Sequence, residues 1–354
     1  VGSYALSTNT TAAGNVAVGY GTLGANTTGG NNTALGMQVL DAATTAGSNT
    51  GVGALALGAT TTGNANVACG AEALSANTTG SSNTAIGIYS LYTNSTADNN
   101  TAVGRSALQL NTTGVNNVAV GYGALDANTT GDKNVAIGRQ ALSATQTTND
   151  NTACGDSALE SNTAASNSAF GKSALKVNST GDNNTAAGIN CMNSNTSGRL
   201  CVAMGSNALA SQTTGEQNVA IGYEAGDGCT TGTGNVFLGM YAGRSQGNTS
   251  NHLYIARDSV GAGNDACWIL GDGDGDCFLG NNDSHWATTS DQRLKKNIVD
   301  NTKGLEVINQ IKVKNFQFKQ YKDGSPVTSD DTVDLSAFTD TDNVNQVLIR
   351  QGDT

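Results

Sequence analysis

The chain has 354 residues with 46 Gly, one Pro, 5% aromatic and 13% charged residues, against about a quarter charged in an ordinary soluble domain. It lacks any run of about 18 apolar residues, so no helical membrane insertion is expected. The formal net charge of −11 is spread without a basic stripe, which disfavours nucleic acid, since phosphate binding needs clustered Lys and Arg.

Proceeding along the chain, one register dominates. Counting Asn15 as position zero, Asn returns at Asn32, Asn49, Asn66, Asn83, Asn100, Asn117, Asn134 and Asn151 in steps of 17. One step of 16 reaches Asn167, and the spacing of 17 resumes at Asn184, Cys201, Asn218 and Asn235, giving fourteen units. Residues 1–14 fit the tail of a preceding unit, so the array is expected to extend further on that side. Each unit reads Asn, Thr or Val, Ala, a large apolar residue, Gly, two variable residues, Ala, Leu, and then a polar stretch such as Asn-Thr-Thr-Gly. A 17-residue period is too short for helix-turn-helix repeats of about 34 residues, and Thr, Val, Gly and Asn suit short strands between turns. The fold expected for residues 1–247 is therefore an all-β parallel β-solenoid with one coil per unit, roughly 65 Å long for rungs about 4.8 Å apart.

Strand alternation predicts two faces. The bulky row at plus one and plus three, including Val18, Leu35, Val52, Ile86 and Val120, is assigned to the coil interior, completed by Leu at plus eight in eleven of the fourteen units. The small Asn, Ala and Gly at zero, plus two and plus four are assigned to an outer face covered by other copies, because so thin a coil buries little by itself. The recurrent Asn is expected to form a structural ladder of stacked amides. The Asn-Thr-Thr-Gly segments are read as outward turns, a repeated polar surface able to meet a repeated polymer such as a glycan.

These repeats, for example the run from Asn100 to Gly114, resemble the head repeats of trimeric autotransporter adhesins and the related repeats of phage tail fibres. The resemblance implies a homotrimer of left-handed β-rolls acting in surface attachment, placed outside the cell as a virion fibre or on the cell surface. Its partners would be two identical copies and a host or substratum glycan or protein.

The last two units carry Gly226 and Gly243 in place of Leu, and the spacing is lost after Asn248, so the interior row is expected to close there. In the connector, residues 248–289, the runs 251–256 and 266–271 read as strands, the second followed by a turn and another strand from Cys277. Asp272, Asp274 and Asp276 alternate as a calcium loop begins, but Cys277 stands where Gly is needed and Asp283 where Glu is needed, so neither metal nor cofactor is expected. Cys69, Cys154, Cys191 and Cys201 are read as small buried substitutes, and Cys267 and Cys277 as a pair able to meet across the turn. His252 and His285 lie apart and make no zinc spacing.

Beyond Trp286 Lys and Arg become frequent, and Ser290-Asp-Gln-Arg-Leu-Lys-Lys-Asn-Ile298 resembles the opening of the intramolecular chaperone auto-processing domain at the C-termini of phage endosialidases and tail spikes. The segments 304–311, a short amphipathic helix, and 314–318, an alternating strand, resemble it too. The resemblance implies a small α+β chaperone over residues 290–354 that assists trimerisation and cuts the bond between Thr289 and Ser290. Ser290 would be the nucleophile and Lys295 the general base. The later Gly-Ile-Ala-Gln-Glu stretch of that family is absent, so an incomplete copy is expected. Enzyme activity would amount at most to this Ser-Lys self-cleavage, with no turnover. The competing reading is a structural or ice- or mineral-contacting filament that does not cut itself.

Overall fold

In the computed structural model, the described residues are 1–245, 247–256, 267–271, 273–274 and 277–279. They form an all-β parallel β-solenoid of fourteen coils, and no helix occurs among them. Each unit contributes one three-residue strand at plus one to plus three, from β1 (Val16–Val18) through β6 (Thr101–Val103) to β14 (Val236–Leu238). Successive strands pair parallel and in exact register, so that Ala102 lies against Ala119 and Val103 against Val120. The single short step is absorbed without a slip: Ala153 still pairs with Ala169.

The rest of the coil also bonds to its neighbours. The Leu108 N–H donates to the Ala124 carbonyl at 2.9 Å, and the Ser106 N–H donates to the Ile88 carbonyl at 2.9 Å. Turning the chain back on itself within 17 residues requires positive φ at four places per coil. In the coil opened by Asn100 these are Gly104 (φ 134°), Ser106 (58°), Leu108 (50°) and Asn116 (59°). A left-handed non-glycine residue costs roughly 1–2 kcal/mol, so an isolated coil is unfavourable. Full burial of Leu108 returns about 1.5–3 kcal/mol, which is why the strained plus-eight site holds Leu.

The faces are the reverse of those expected from strand alternation. Ala at plus two is buried in every coil where it occurs, packed on the buried residues at plus seven and plus eight. The bulky residues at plus one and plus three point outward: Val18 is 38% exposed, Ile86 42% and Phe170 47%. The coil is too narrow for two bulky layers. With Leu entering from plus eight, only a methyl group fits opposite it.

Two compensations show how tightly this volume is held. Val39 replaces the usual Ala at plus seven, and the facing plus-two residue is Gly51, whose added Cβ would lie 2.5 Å from Val39 Cγ1. At the other end Phe237 replaces Ala at plus two, and the plus-eight residues beside it are Gly226 and Gly243, where a Cβ would lie 2.6 and 2.1 Å from the ring. The interior therefore does not close at these glycines; Phe237 is fully buried and fills the space that two leucines would take.

The register also runs one step past the last unit found in the sequence. His252 stands at position zero, its N–H donating to Asn235 Oδ1 at 2.9 Å. Strand β15 (Leu253–Ala256) pairs parallel to β14. Tyr254, in the plus-two place, stacks on Phe237 with centroids 5.6 Å apart. The polarity then reverses: β16 (Cys267–Gly271) pairs antiparallel to β15, and β17 (Cys277–Leu279) antiparallel to β16.

Candidate functional site

Inside the coils the repeated Asn residues form the ladder that sets the rung spacing. Asn117 donates its backbone N–H to Asn100 Oδ1 at 2.9 Å, and its side-chain Nδ2 to the same oxygen at 3.2 Å and to the Gly131 carbonyl at 2.8 Å. The same pattern links Asn15 to Asn32 and Asn49 to Asn66. From Asn32 to Asn151 every member is buried. Cys201 keeps the thread by donating its N–H to Asn184 Oδ1 at 3.0 Å. These side chains bond along the stack, which supports a structural role for the row.

A second ladder runs through the Asn-Thr-Thr-Gly segments, which are thus not wholly outward. Asn111 Nδ2 donates to Asn94 Oδ1 at 2.9 Å and to the Gly114 carbonyl at 2.9 Å, and Asn128 repeats this on Asn111. Its signal in the sequence was the recurrence of Asn at plus eleven, three residues before the turn Gly at plus fourteen. The ladder breaks at Thr145, whose Oγ1 donates onward to the Asn162 carbonyl and leaves Asn128 Oδ1 without a partner. Thr145→Asn is therefore expected to stabilise the coil by about 0.5–1.5 kcal/mol, the net worth of a restored hydrogen bond, seen as a higher urea midpoint at unchanged slope.

The outer surface is organised in rows. At plus twelve the Thr hydroxyls are spent within the stack, as in Thr112 Oγ1 donating to the Thr129 carbonyl at 2.9 Å. At plus thirteen Thr28, Thr45, Thr62, Thr79, Thr96, Thr113, Thr130 and Thr147 stand exposed one above another. Charges pair between coils: Arg139 with Asp156 at 2.9 Å, and Arg199 with Glu216 at 3.1 Å. Near the end, Tyr223 and Tyr241 meet edge to face, with Arg244 over the Tyr241 ring at 5.0 Å and ion-paired to Glu224.

The cysteines divide by row. Cys191 and Cys201 are buried, and burial pushes the Cys191 thiol up to about 12 and raises that of Cys201. Cys69 and Cys154, expected inside, are exposed because they occupy the outward plus-three row. Cys277 lies opposite Gly271 and Cys267 opposite Ala256, so the two strands do not place Cys267 and Cys277 face to face. Four residues separate them along the ladder, about 13 Å. Of the three alternating carboxylates, Asp274 is described, in the turn before β17, while Asp272 and Asp276 lie outside the described residues. Among the described residues no group of three His, Cys, Asp or Glu side chains converges. His252 packs against Tyr254, with Nδ1 2.9 Å from the Tyr254 hydroxyl.

The described residues thus define a repeat-built parallel β-solenoid. Residues 290–333 match the family described as chaperone of endosialidase. No curated protein and no solved structure matches the chain. Thr289, Ser290 and Lys295 lie outside the described residues.

Proposed function

We propose that this chain is the rigid part of a trimeric attachment fibre, matured by its own C-terminal chaperone. The observation that carries the reading is the match of residues 290–333 to the endosialidase chaperone in a chain whose preceding part is a fourteen-coil solenoid. An intramolecular chaperone suits such a stack. Every coil is strained, and it gains stability only on a neighbour already formed. The exposed Thr row supports attachment to a repeated polymer such as a glycan, because it offers a hydroxyl at each of eight consecutive rungs. The fibre would act outside the cell, on a virion or a cell surface.

In the maturation step Ser290 Oγ attacks the Thr289 carbonyl carbon while Lys295 takes the hydroxyl proton. The Thr289–Ser290 C–N bond breaks as the Ser290 amine takes that proton from Lys295 and leaves, and water then hydrolyses the resulting ester to the Thr289 carboxylate and the free Ser290 hydroxyl. Lys295 can accept that proton only where burial or a neighbouring cation lowers its pKa, which ties cutting to assembly. The test is the mass of the purified chain beside that of Ser290→Ala. A fragment ending at Thr289, absent from the variant, is expected; an uncut wild-type chain in an assembled trimer would overturn self-cleavage.

A further inference from the structure

The inverted faces leave one side of the solenoid without a partner. At plus three the fourteen coils carry Val18, Leu35, Val52, Cys69, Ile86, Val103, Val120, Ile137, Cys154, Phe170, Ala187, Met204, Ile221 and Leu238, a row with no charged residue. Of the exposed large apolar residues, seven lie at plus three, seven at plus five and two at plus one. The plus-five row is mixed, with Tyr20, Met37 and Ile88 interrupted by Arg105, Arg139 and Asp156. An uncharged apolar centre with a partly charged border is the anatomy of a protein interface.

We infer that this plus-three row is the surface on which copies of the chain join, and the occupant is two further copies in parallel. The inference rests on the trimeric reading above and adds to it which face is covered. The strip spans roughly 65 Å by 13 Å, on the order of 800 Å² per copy, which is the share that each partner brings to a stable interface. Continuous apolar surface of this size is more than a solitary soluble molecule ordinarily shows. A row of strands on a straight stack can meet itself about an axis parallel to the stack, which brings each rung against the same rung of its partners. The Ala face first expected to serve is unavailable, being the interior of the coil.

The geometry sets a test with built-in reporters. Cys69 and Cys154 are exposed members of the row, in different coils, while Cys191, Cys201 and Cys229 are buried. In the full-length chain a short bismaleimide should join Cys69 to Cys69 and Cys154 to Cys154 of neighbouring copies, read by peptide mapping. The pair Ile86→Asp and Ile137→Asp should reduce the sedimenting mass to one third while the β-sheet circular dichroism is kept, because both side chains point away from the core. The same charges at Thr79 and Thr130 should leave the mass unchanged. An oligomer that withstands the two aspartates at 86 and 137, or that links Cys69 only to Cys154, overturns this face and orientation. A wild-type chain that sediments as a single molecule overturns the trimeric reading beneath it.

Discussion

Gly104→Ala is expected to break the stack at its sixth coil. The residue has φ 134°, a region almost closed to side chains, and its Cβ would stand 2.5 Å from the Gly121 carbonyl oxygen and 2.7 Å from the carbonyl carbon. The obstacle is backbone on the next rung, which cannot turn aside as a side chain could. Backbone strain of about 1–3 kcal/mol and overpacking of about 1–3 kcal/mol give a loss of about 2–6 kcal/mol. Because coils touch only their neighbours, the damage should be local. Limited proteolysis is expected to nick the chain near residues 104–121 and leave two resistant blocks. Ser106→Gly in the same coil supplies the control of opposite sign: at φ 58° it relieves strain, and resistance should be kept or improved.

The second large effect is expected at the aromatic residue of the last coils. Phe237→Ala removes a fully buried ring flanked by two glycines and should cost about 3–5 kcal/mol. Gly243→Leu alone should also be harmful, since its Cβ would lie 2.1 Å from Phe237 Cδ1. Joining Phe237→Ala with Gly226→Leu and Gly243→Leu rebuilds the ordinary Ala and Leu pattern and is expected to recover most of the loss. Urea unfolding of these three variants beside the parent chain measures the coupling. Additive losses would show that the ring and the glycines do not share one volume.

These two sites also show what could be read before the structure. The period of 17, the parallel coil and the stacked Asn were legible because identical residues at one spacing must sit above one another. The row of glycines at plus four was assigned to a face covered by other copies, but what it meets is the backbone of the next coil. Which strand face points inward was not legible from alternation. Both faces were free of charge, and the choice fell to the coil's width, which depends on how far Leu108 and its equivalents reach across. The exposure of Cys69 and Cys154 follows from that same choice. Gly226 and Gly243 resembled an ending because their compensation, Phe237, sits in a different column of the repeat. The chaperone motif at Ser290 was legible from its own run of residues and owed nothing to the periodicity.

The reversal at β16 has a consequence for how long such a rod can grow. A parallel stack exposes at its final strand the same pattern of amides and carbonyls that every coil uses to seat the next, an open invitation to endless head-to-tail polymerisation. Here that strand, Leu253–Ala256, is already paired with one of opposite polarity. The hairpin caps that end, so length would be counted out by the number of repeats rather than set by concentration, and the proposed cut before Ser290 would leave the cap on the rod.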